Sequence, residues 1–221
     1  YGQCIDRGSK ITIYTPSNIV DPIMGWWGYY LAKIGGFNYI GRELGETRPY
    51  GSFYIYDKNK NIEGGEECLA DINRLANSDD HWVISILAAS GANEPTFPTQ
   101  FHFTYGAKKG DETYDDPNIT LNDIATFEQI YQAFNSLLSE KYQFSADKQR
   151  YHTNASKLFF SFFLEHKLNA ISLRIAWSFT CWDMRAIQIA QDLAQIINQQ
   201  INHCDNPIVP ELKKKGIGYN A

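Results

Sequence analysis

The segment 171–179 constrains the fold of this chain more than any other. Every second residue there is apolar, and small or polar residues lie between them. A period of two is typical of a β-strand with one buried face. The apolar positions are Ile171, Leu173, Ile175, Trp177 and Phe179. The pattern therefore predicts a strand whose apolar face belongs to the hydrophobic core.

The segments on both sides of this strand extend the prediction. The apolar run 158–164 comes before it across a short polar turn, so the two segments form a predicted β-hairpin. Thr180 and Asp183 follow at the spacing of a helix capping box, and apolar residues then recur every three to four positions up to Ile201. The expected core contacts are those of Ile175 and Trp177 with Ile187, Leu193 and Ile197.

The rest of the chain alternates short strands with amphipathic helices. The predicted strands are 10–14, 37–42, 52–57, 82–89 and 101–105, and the predicted helices are 22–35, 63–76 and 122–141. This rhythm predicts an α+β fold, a largely antiparallel mixed sheet with about four helices packed on one face. Because no linker rich in Pro, Gly or Ser divides the chain, we expect one domain over residues 1–221, with a short basic tail from about 206.

The helix predicted over 22–35 carries two glycines in its interior. Asp21 and Pro22 are typical of a helix start, and Gly35 with Gly36 is typical of its end. Glycine inside a helix costs about 1 kcal/mol relative to alanine. Gly25 and Gly28 therefore predict either an irregular helix or another backbone packed very close to it.

Charge and composition indicate a soluble globular protein and exclude several function classes. The net charge of −5 argues against nucleic acid as the main partner, because phosphate binding needs clustered Lys and Arg. No apolar run reaches the roughly 20 residues that span a bilayer. Neither a phosphate-binding loop nor a dinucleotide fingerprint is present, so no cofactor is predicted. The chain begins at Tyr1, which fits a cytoplasmic protein or, after removal of a signal peptide, a periplasmic or secreted one; the oligomeric state stays open.

The four cysteines lack the spacing of a zinc or redox motif. Cys4 and Cys204 lie near the two ends of the chain, and the ends of a domain are often close together. We therefore expect these two thiols to be neighbours without an obligatory bond. A Cys4–Cys204 disulfide would require an oxidising compartment.

A hydrolase could assemble its site from dispersed residues. Ser90 follows a predicted buried strand, but it lacks the glycines and the directly following helix of a nucleophile elbow. Asp79, His81 and His102 are the candidate acids and bases. No spacing among these residues is specific for catalysis, so the sequence does not favour an enzyme.

The charge layout is more distinctive than any motif. From Asp111 to Glu140 the chain has no Lys or Arg, while acidic residues crowd its first part. A segment of one sign attracts a basic partner and speeds its approach. The acidic residues expected at this interface are Asp111, Glu112, Asp115 and Asp116.

An aromatic pair adds a second candidate contact surface. Trp26 and Tyr29 lie off the apolar stripe of their predicted helix, so their rings either face a partner or pack in a second layer of the core. Together the acidic and aromatic features predict a non-catalytic protein-binding domain of the immunity or inhibitor type, which neutralises a toxin or enzyme. The alternatives are the dispersed-site hydrolase and a carbohydrate-binding module that uses Trp26 and Tyr29.

Overall fold

The computed structural model describes residues 2–16, 22–42, 65–76, 78, 80–89, 100–105, 121–149, 168–176 and 185–204. These residues form seven strands and four α-helices. The strands are β1 (Gly2–Ile5), β2 (Ile11–Thr15), β3 (Asn38–Arg42), β4 (Trp82–Ala89), β5 (Phe101–Tyr105), β6 (Ala146–Gln149) and β7 (Asn169–Ala176). The helices are α1 (Pro22–Gly35), α2 (Gly65–Leu75), α3 (Ile124–Leu137), which continues into a π-helical turn (Leu138–Tyr142), and α4 (Arg185–Ile201).

The seven strands form one mixed sheet in the order β1-β3-β2-β4-β7-β5-β6. Strands β3, β2, β4 and β7 are parallel to one another, and β5 is parallel to β6. The pairs β1–β3 and β5–β7 are antiparallel. Four helices and a mixed sheet with antiparallel pairs confirm the predicted α+β class.

The expected balance of strand directions differs from the observed one. Four of the six strand pairs are parallel, whereas the sequence predicted a largely antiparallel sheet. The reason lies in the connections: α1 joins β2 to β3 and α2 joins β3 to β4. A helix between two strands carries the chain back to the end from which it started, so the next strand runs parallel to the first.

The predicted hairpin is wrong. The segment 158–164 lies outside the described residues, but β4 pairs with β7 along one edge and β5 along the other. Neither edge of β7 over residues 171–175 is left for another strand. A short polar turn is a local signal, whereas the neighbours of a central strand are selected by burial, and β4 is apolar enough to lie in the middle of the sheet.

Helices α1, α3 and α4 pack on one face of the sheet and form the main core with it. Ile175 is fully buried there, as are Leu193 and Ile197 of α4, which agrees with the predicted core. Trp177 lies outside the described residues. Ile187 was expected in this core but is 37% exposed. Ile187 lies in the first turn of α4, one turn before Gln191, whose side chain reaches Tyr30 of α1. It is therefore not among the residues of α4 that face the sheet.

Helix α2 packs on the opposite face, so the prediction that all helices share one face is also wrong. Tyr39 of β3 points toward α1, since its hydroxyl donates to the Gly25 carbonyl at 3.3 Å. The next residue, Ile40, therefore points the other way. Cys4 is directly opposite Ile40, and Arg74 of α2 donates to the Cys4 sulfur at 3.3 Å. Helix α2 therefore covers the far side of β1 and β3.

Gly28 lets α1 approach the sheet closely, as one of the two sequence interpretations predicted. A Cβ atom at this position would lie 2.3 Å from Cγ2 of Thr15 in β2. The hydroxyl of Thr15 is hydrogen-bonded to that of Tyr39 at 2.9 Å, which holds the Thr15 side chain in place. Even alanine is therefore too large at Gly28 unless the neighbouring methyl group moves.

The described cysteines form no disulfide. Cys4, Cys68 and Cys204 are all present as thiols. Cys4 contacts α2, whereas Cys204 follows α4, so the two belong to opposite layers of the molecule. None of the helices in the described ranges is long and apolar enough to span a membrane.

Candidate functional site

The face of the central strands that points away from α1, α3 and α4 is polar although it is buried. We call it the polar face. It comprises Tyr14 of β2, Ser85 of β4, Ser172 and Arg174 of β7, and His102 and Thr104 of β5, none of them more than 8% exposed. On the opposite face the same strands present the isoleucines and phenylalanines of the core. A buried sheet surface of this polarity is unusual, because polar groups away from water need partners.

The strand register brings four of these hydroxyl-bearing residues into one row. Tyr14 is directly opposite Ser85, Ser85 is opposite Ser172, and Ser172 is opposite Thr104. Facing residues on neighbouring strands have Cβ atoms about 5 Å apart. In the part of the chain that the structure describes, the hydroxyls of Ser85, Ser172 and Thr104 have no hydrogen-bond partner. Each such buried group costs about 1–3 kcal/mol, so the row destabilises the fold.

The next row contains the charged groups of the polar face. Arg174 is opposite His102, and His102 is opposite Asp147 of β6. The Nδ1 atom of His102 is hydrogen-bonded to Oδ1 of Asp147, while the ring itself is almost completely buried. A carboxylate beside an imidazole fixes the tautomer and orientation of the ring, which is how a general base is positioned. The row therefore has two of the three parts of a nucleophile–base–carboxylate set.

The third part is not assembled among the described residues. Thr104 and Ser172 are the nearest hydroxyls by register, yet neither forms a hydrogen bond to His102. Ser90 and Asp79 lie outside the described residues. The imidazole of His102 is therefore oriented by Asp147, but no nucleophile among the described residues is hydrogen-bonded to it.

His81, the other predicted base, is far from this row. It precedes β4, and its Nε2 atom is 2.9 Å from the hydroxyl of Thr12. Burial lowers the pKa of His81 to about 4, so the ring is neutral at physiological pH. The eight residues of β4 span about 26 Å, so His81 lies far from the other end of the strand at Ala89.

The second candidate region is the outer surface of α1, where Trp26 is 47% exposed. Its ring stacks on that of Tyr30, with centroids 5.6 Å apart and planes 6° from parallel. Tyr29 was the expected companion, but it is only partly exposed and packs edge-on against Tyr39 at 5.4 Å. Tyr30 is also only partly exposed, but it lies on the same side of the helix as Trp26, because residues four apart do so, and the aromatic pair of this surface is therefore Trp26 and Tyr30.

Helix α4 extends this surface. It runs parallel to α1: Trp27 donates from Nε1 to the Ala186 carbonyl at 3.0 Å, and Asn198 donates from Nδ2 to the Gly35 carbonyl at 3.0 Å. Gln191 donates to the hydroxyl of Tyr30 at 3.0 Å. Ile187 lies one turn before Gln191, just as Trp26 lies one turn before Tyr30.

Trp26 and Ile187, the two large hydrophobic side chains that the described residues expose, thus occupy matching turns of adjacent helices. We call Trp26, Tyr30 and Ile187 the Trp26 surface. An aromatic side chain that is both exposed and held in one orientation loses little conformational entropy when it is buried by a partner.

The acidic segment from Asp111 to Glu140 lies only partly within the described residues. Asp111, Glu112, Asp115 and Asp116 lie outside the described residues. Within α3, Asp123 caps the helix by accepting a hydrogen bond from the Thr126 amide at 2.9 Å.

The remaining acidic residues of this segment are Glu128 and Glu140. Glu128 forms an ion pair with Lys148 of β6, and Glu140 is exposed. The part of the segment formed by α3 is therefore less negative than the sequence alone indicates, because β6 supplies a cation from outside it.

Several residues of the polar face were not predicted from the sequence. Ser172 and Arg174 occupy the alternate positions of the predicted strand, which were assigned to its outer side, and the structure buries both. The available signal was that His102 and Thr104 alternate in the same way on another predicted strand. Asp147 had no signal, since it lies in a strand of four polar or small residues.

Neither a metal centre nor a known family accounts for these features. Among the described residues no group of three or more His, Cys, Asp and Glu side chains is placed to hold a metal ion. Comparison of the chain with protein-family models finds no match, and comparison with curated proteins finds no significant similarity.

Proposed function

We propose that this protein is a non-catalytic protein-binding domain of the immunity or inhibitor type, which neutralises a toxin or enzyme by covering part of its surface. The observation that carries the proposal is the Trp26 surface. Tryptophan and tyrosine are the side chains most often responsible for binding energy at protein interfaces. Here a rigid Trp–Tyr stack lies beside an exposed isoleucine on the adjoining helix.

The neighbourhood of Trp26 favours a protein partner over a sugar. A sugar ring stacks on an open aromatic face surrounded by hydrogen-bonding groups. One face of Trp26 is already covered by Tyr30, and Ile187 on the adjacent helix offers no hydrogen bond. Apolar side chains that adjoin an aromatic anchor are typical of the central part of a protein interface.

The partner is proposed to be basic. The chain has a net charge of −5, and Asp111, Glu112, Asp115 and Asp116 are close together in sequence. Exposed charges of one sign raise the rate of encounter with a partner of opposite charge, while the apolar contact holds the complex. The two features thus have separate roles that can be measured separately.

The test of the interface compares partner binding by the parent with that of Trp26→Ala and Ile187→Ala. The control is Gln132→Ala, which changes an exposed residue of α3. A partner is first captured with the parent from the source cell, identified and purified. Truncation of an interfacial tryptophan typically costs about 2 kcal/mol or more, so Trp26→Ala should weaken the affinity at least about 30-fold. Equal affinities of Trp26→Ala and the control would contradict the proposal.

The test of the basic partner uses a quadruple variant in which Asp111, Glu112, Asp115 and Asp116 become Asn or Gln. Association should slow, and its dependence on salt should flatten, because exposed charges act mainly on the on-rate and the Debye length is about 8 Å at physiological ionic strength. The dissociation rate should change little. If parent and variant associate equally fast at low and high salt, the acidic residues do not steer a partner.

A second candidate function is hydrolysis at the polar face, and the hydrogen bond between His102 and Asp147 is the observation that favours it. An oriented imidazole contributes to hydrolysis only when it takes a proton from a nucleophile or water. The test is turnover of a series of activated esters by the parent, His102→Gln and Asp147→Asn. Activity that survives in both variants, or none in the parent, would remove this candidate.

A further inference from the structure

A cleft of about 310 Å³ opens at the amino ends of β2, β4 and β7, away from both regions described above. The first turn of α3 forms one wall, and the end of α4 forms the other. At about 30 Å³ per molecule in the liquid, this volume holds about ten waters. It lies at the lower end of the range for small-molecule sites, about 300–1,000 Å³. The cleft therefore has room for a single small ring rather than a long chain.

Asn169, at the start of β7, places an oriented donor in this cleft. Only 2% of the residue is exposed. Its Oδ1 atom accepts hydrogen bonds from the backbone amides of Asn122 at 2.8 Å and Asp123 at 3.0 Å. These two bonds fix the rotation of the amide group. The Nδ2 group consequently points elsewhere, and it has no hydrogen-bond partner among the described residues that line the cleft.

The anchoring of the Asn122–Asp123 backbone does not explain why this residue is asparagine. Two backbone N–H groups at the start of a helix are bonded equally well by aspartate, whose negative charge also suits a helix N-terminus. What asparagine adds is the N–H donor pair. The Nδ2 atom is not sealed inside the protein, so either water in the cleft or an oxygen of a ligand can accept its hydrogen bonds.

The other groups around the cleft define the chemistry of an occupant. Lys10 and Asp80 form an ion pair at 3.1 Å on the rim, so neither charge is left unopposed. Gln200 and His203 offer hydrogen bonds from the end of α4. The Asp123 carboxylate would repel an anion, and both of its oxygens already accept hydrogen bonds from Thr126, so it offers little to a cation. Groups that both donate and accept hydrogen bonds satisfy this mixed lining, and hydroxyls are such groups.

We propose that the cleft binds a neutral, polyhydroxylated small molecule of about the size of a monosaccharide, with the Asn169 Nδ2 group donating to one of its oxygens. The cleft is separate from the Trp26 surface, so ligand binding there can be tested independently of the proposed protein partner. Binding at this small and open cleft is expected to be weak, since a ligand of this size makes few contacts.

The experiment follows the side-chain amide of Asn169 by ¹H–¹⁵N NMR while glucose, galactose or N-acetylglucosamine is added. The resonance pair is assigned by its absence in Asn169→Asp, which keeps the two acceptor bonds of the parent. At least one of these sugars should shift the pair in a saturable way. In Gln200→Ala the dissociation constant should rise about threefold to tenfold, as for the loss of one hydrogen bond, whereas Gln132→Ala on the exposed side of α3 should leave it unchanged.

Three outcomes would overturn the proposal. The first is no saturable shift with any of the three sugars. The second is a shift with inorganic phosphate or putrescine instead, which would assign the cleft to a charged ligand. The third is equal sugar binding, measured from backbone amides near the cleft, by the parent and Asn169→Asp. If Asn169→Asp fails to fold, Gln200→Ala and Lys10→Gln provide the same comparison, because both change residues at the rim.

Discussion

Gly28 allows the sharpest test of how α1 is seated on the sheet, because the space around it is defined by one neighbouring group. A Cβ atom at Gly28 would be 2.3 Å from Cγ2 of Thr15, whereas its next neighbours, Ile13 and Ile86, would be 3.6 Å away. Carbon atoms in contact are normally about 3.5–4.0 Å apart. Thr15 alone therefore excludes alanine, and the contacts with the isoleucines would be ordinary.

Two opposing effects set the magnitude for Gly28→Ala. Alanine is better than glycine in a helix by about 1 kcal/mol. Overpacking of a core typically costs about 1–3 kcal/mol. Gly28→Ala should therefore lower the free energy of unfolding by up to about 2 kcal/mol. In a Thr15→Ser background the offending methyl group is gone and the hydroxyl that bonds Tyr39 is kept, so the same change should stabilise by about 0.5–1 kcal/mol.

The assay is urea unfolding of the parent, both single variants and the double variant, with equal m-values required for comparison. The cycle cancels the cost of Thr15→Ser itself and isolates the coupling between the two sites, expected at about 1–3 kcal/mol. If Gly28→Ala has the same effect in both backgrounds to within about 0.5 kcal/mol, the close contact is not what requires glycine, and the reasoning fails.

Three further predictions concern buried groups. The low pKa of His81, about 4 against 6.5, means that the unfolded chain binds its proton more readily, so stability is full above pH 6.5 and falls by up to about 3 kcal/mol toward pH 4. Unfolding curves across this range should show a shallower loss for His81→Gln, and parallel losses would refute the assignment. Thr104→Val and Ser172→Ala each remove an unpartnered hydroxyl and should raise the free energy of unfolding by up to about 3 kcal/mol or leave it unchanged; a clear loss would show that the hydroxyls are bonded. Trp27→Ala should cost about 3–5 kcal/mol, measured in the same way, because the ring is fully buried and its Nε1 bonds Ala186; a small effect would mean that α4 is not anchored there.

The sequence by itself determined the elements that have a strong local signature. The largely apolar run of β4 and the alternation of β5 were predicted at the bounds that the structure has. The start of α1 at Pro22 and its end at Gly35 follow from residues that can occupy only certain backbone positions. Gly28 likewise indicated a close approach, because glycine in a helix interior is unfavourable without such a reason. These signals are local, so no knowledge of the fold was needed to interpret them.

Only the tertiary structure decided which elements are neighbours. The strand β7 lies between β4 and β5 rather than in a hairpin with the segment before it, because strand pairing depends on burial across the whole sheet. The same pairing buries Arg174 and Ser172, which alternation alone assigns to the outside, and brings His102 to Asp147 across 45 positions of sequence. Lys148 reaches Glu128 from another strand, and Ile187 is left exposed beside Trp26. Each of these contacts joins residues far apart in the chain, and a one-dimensional pattern contains no information on which surfaces meet.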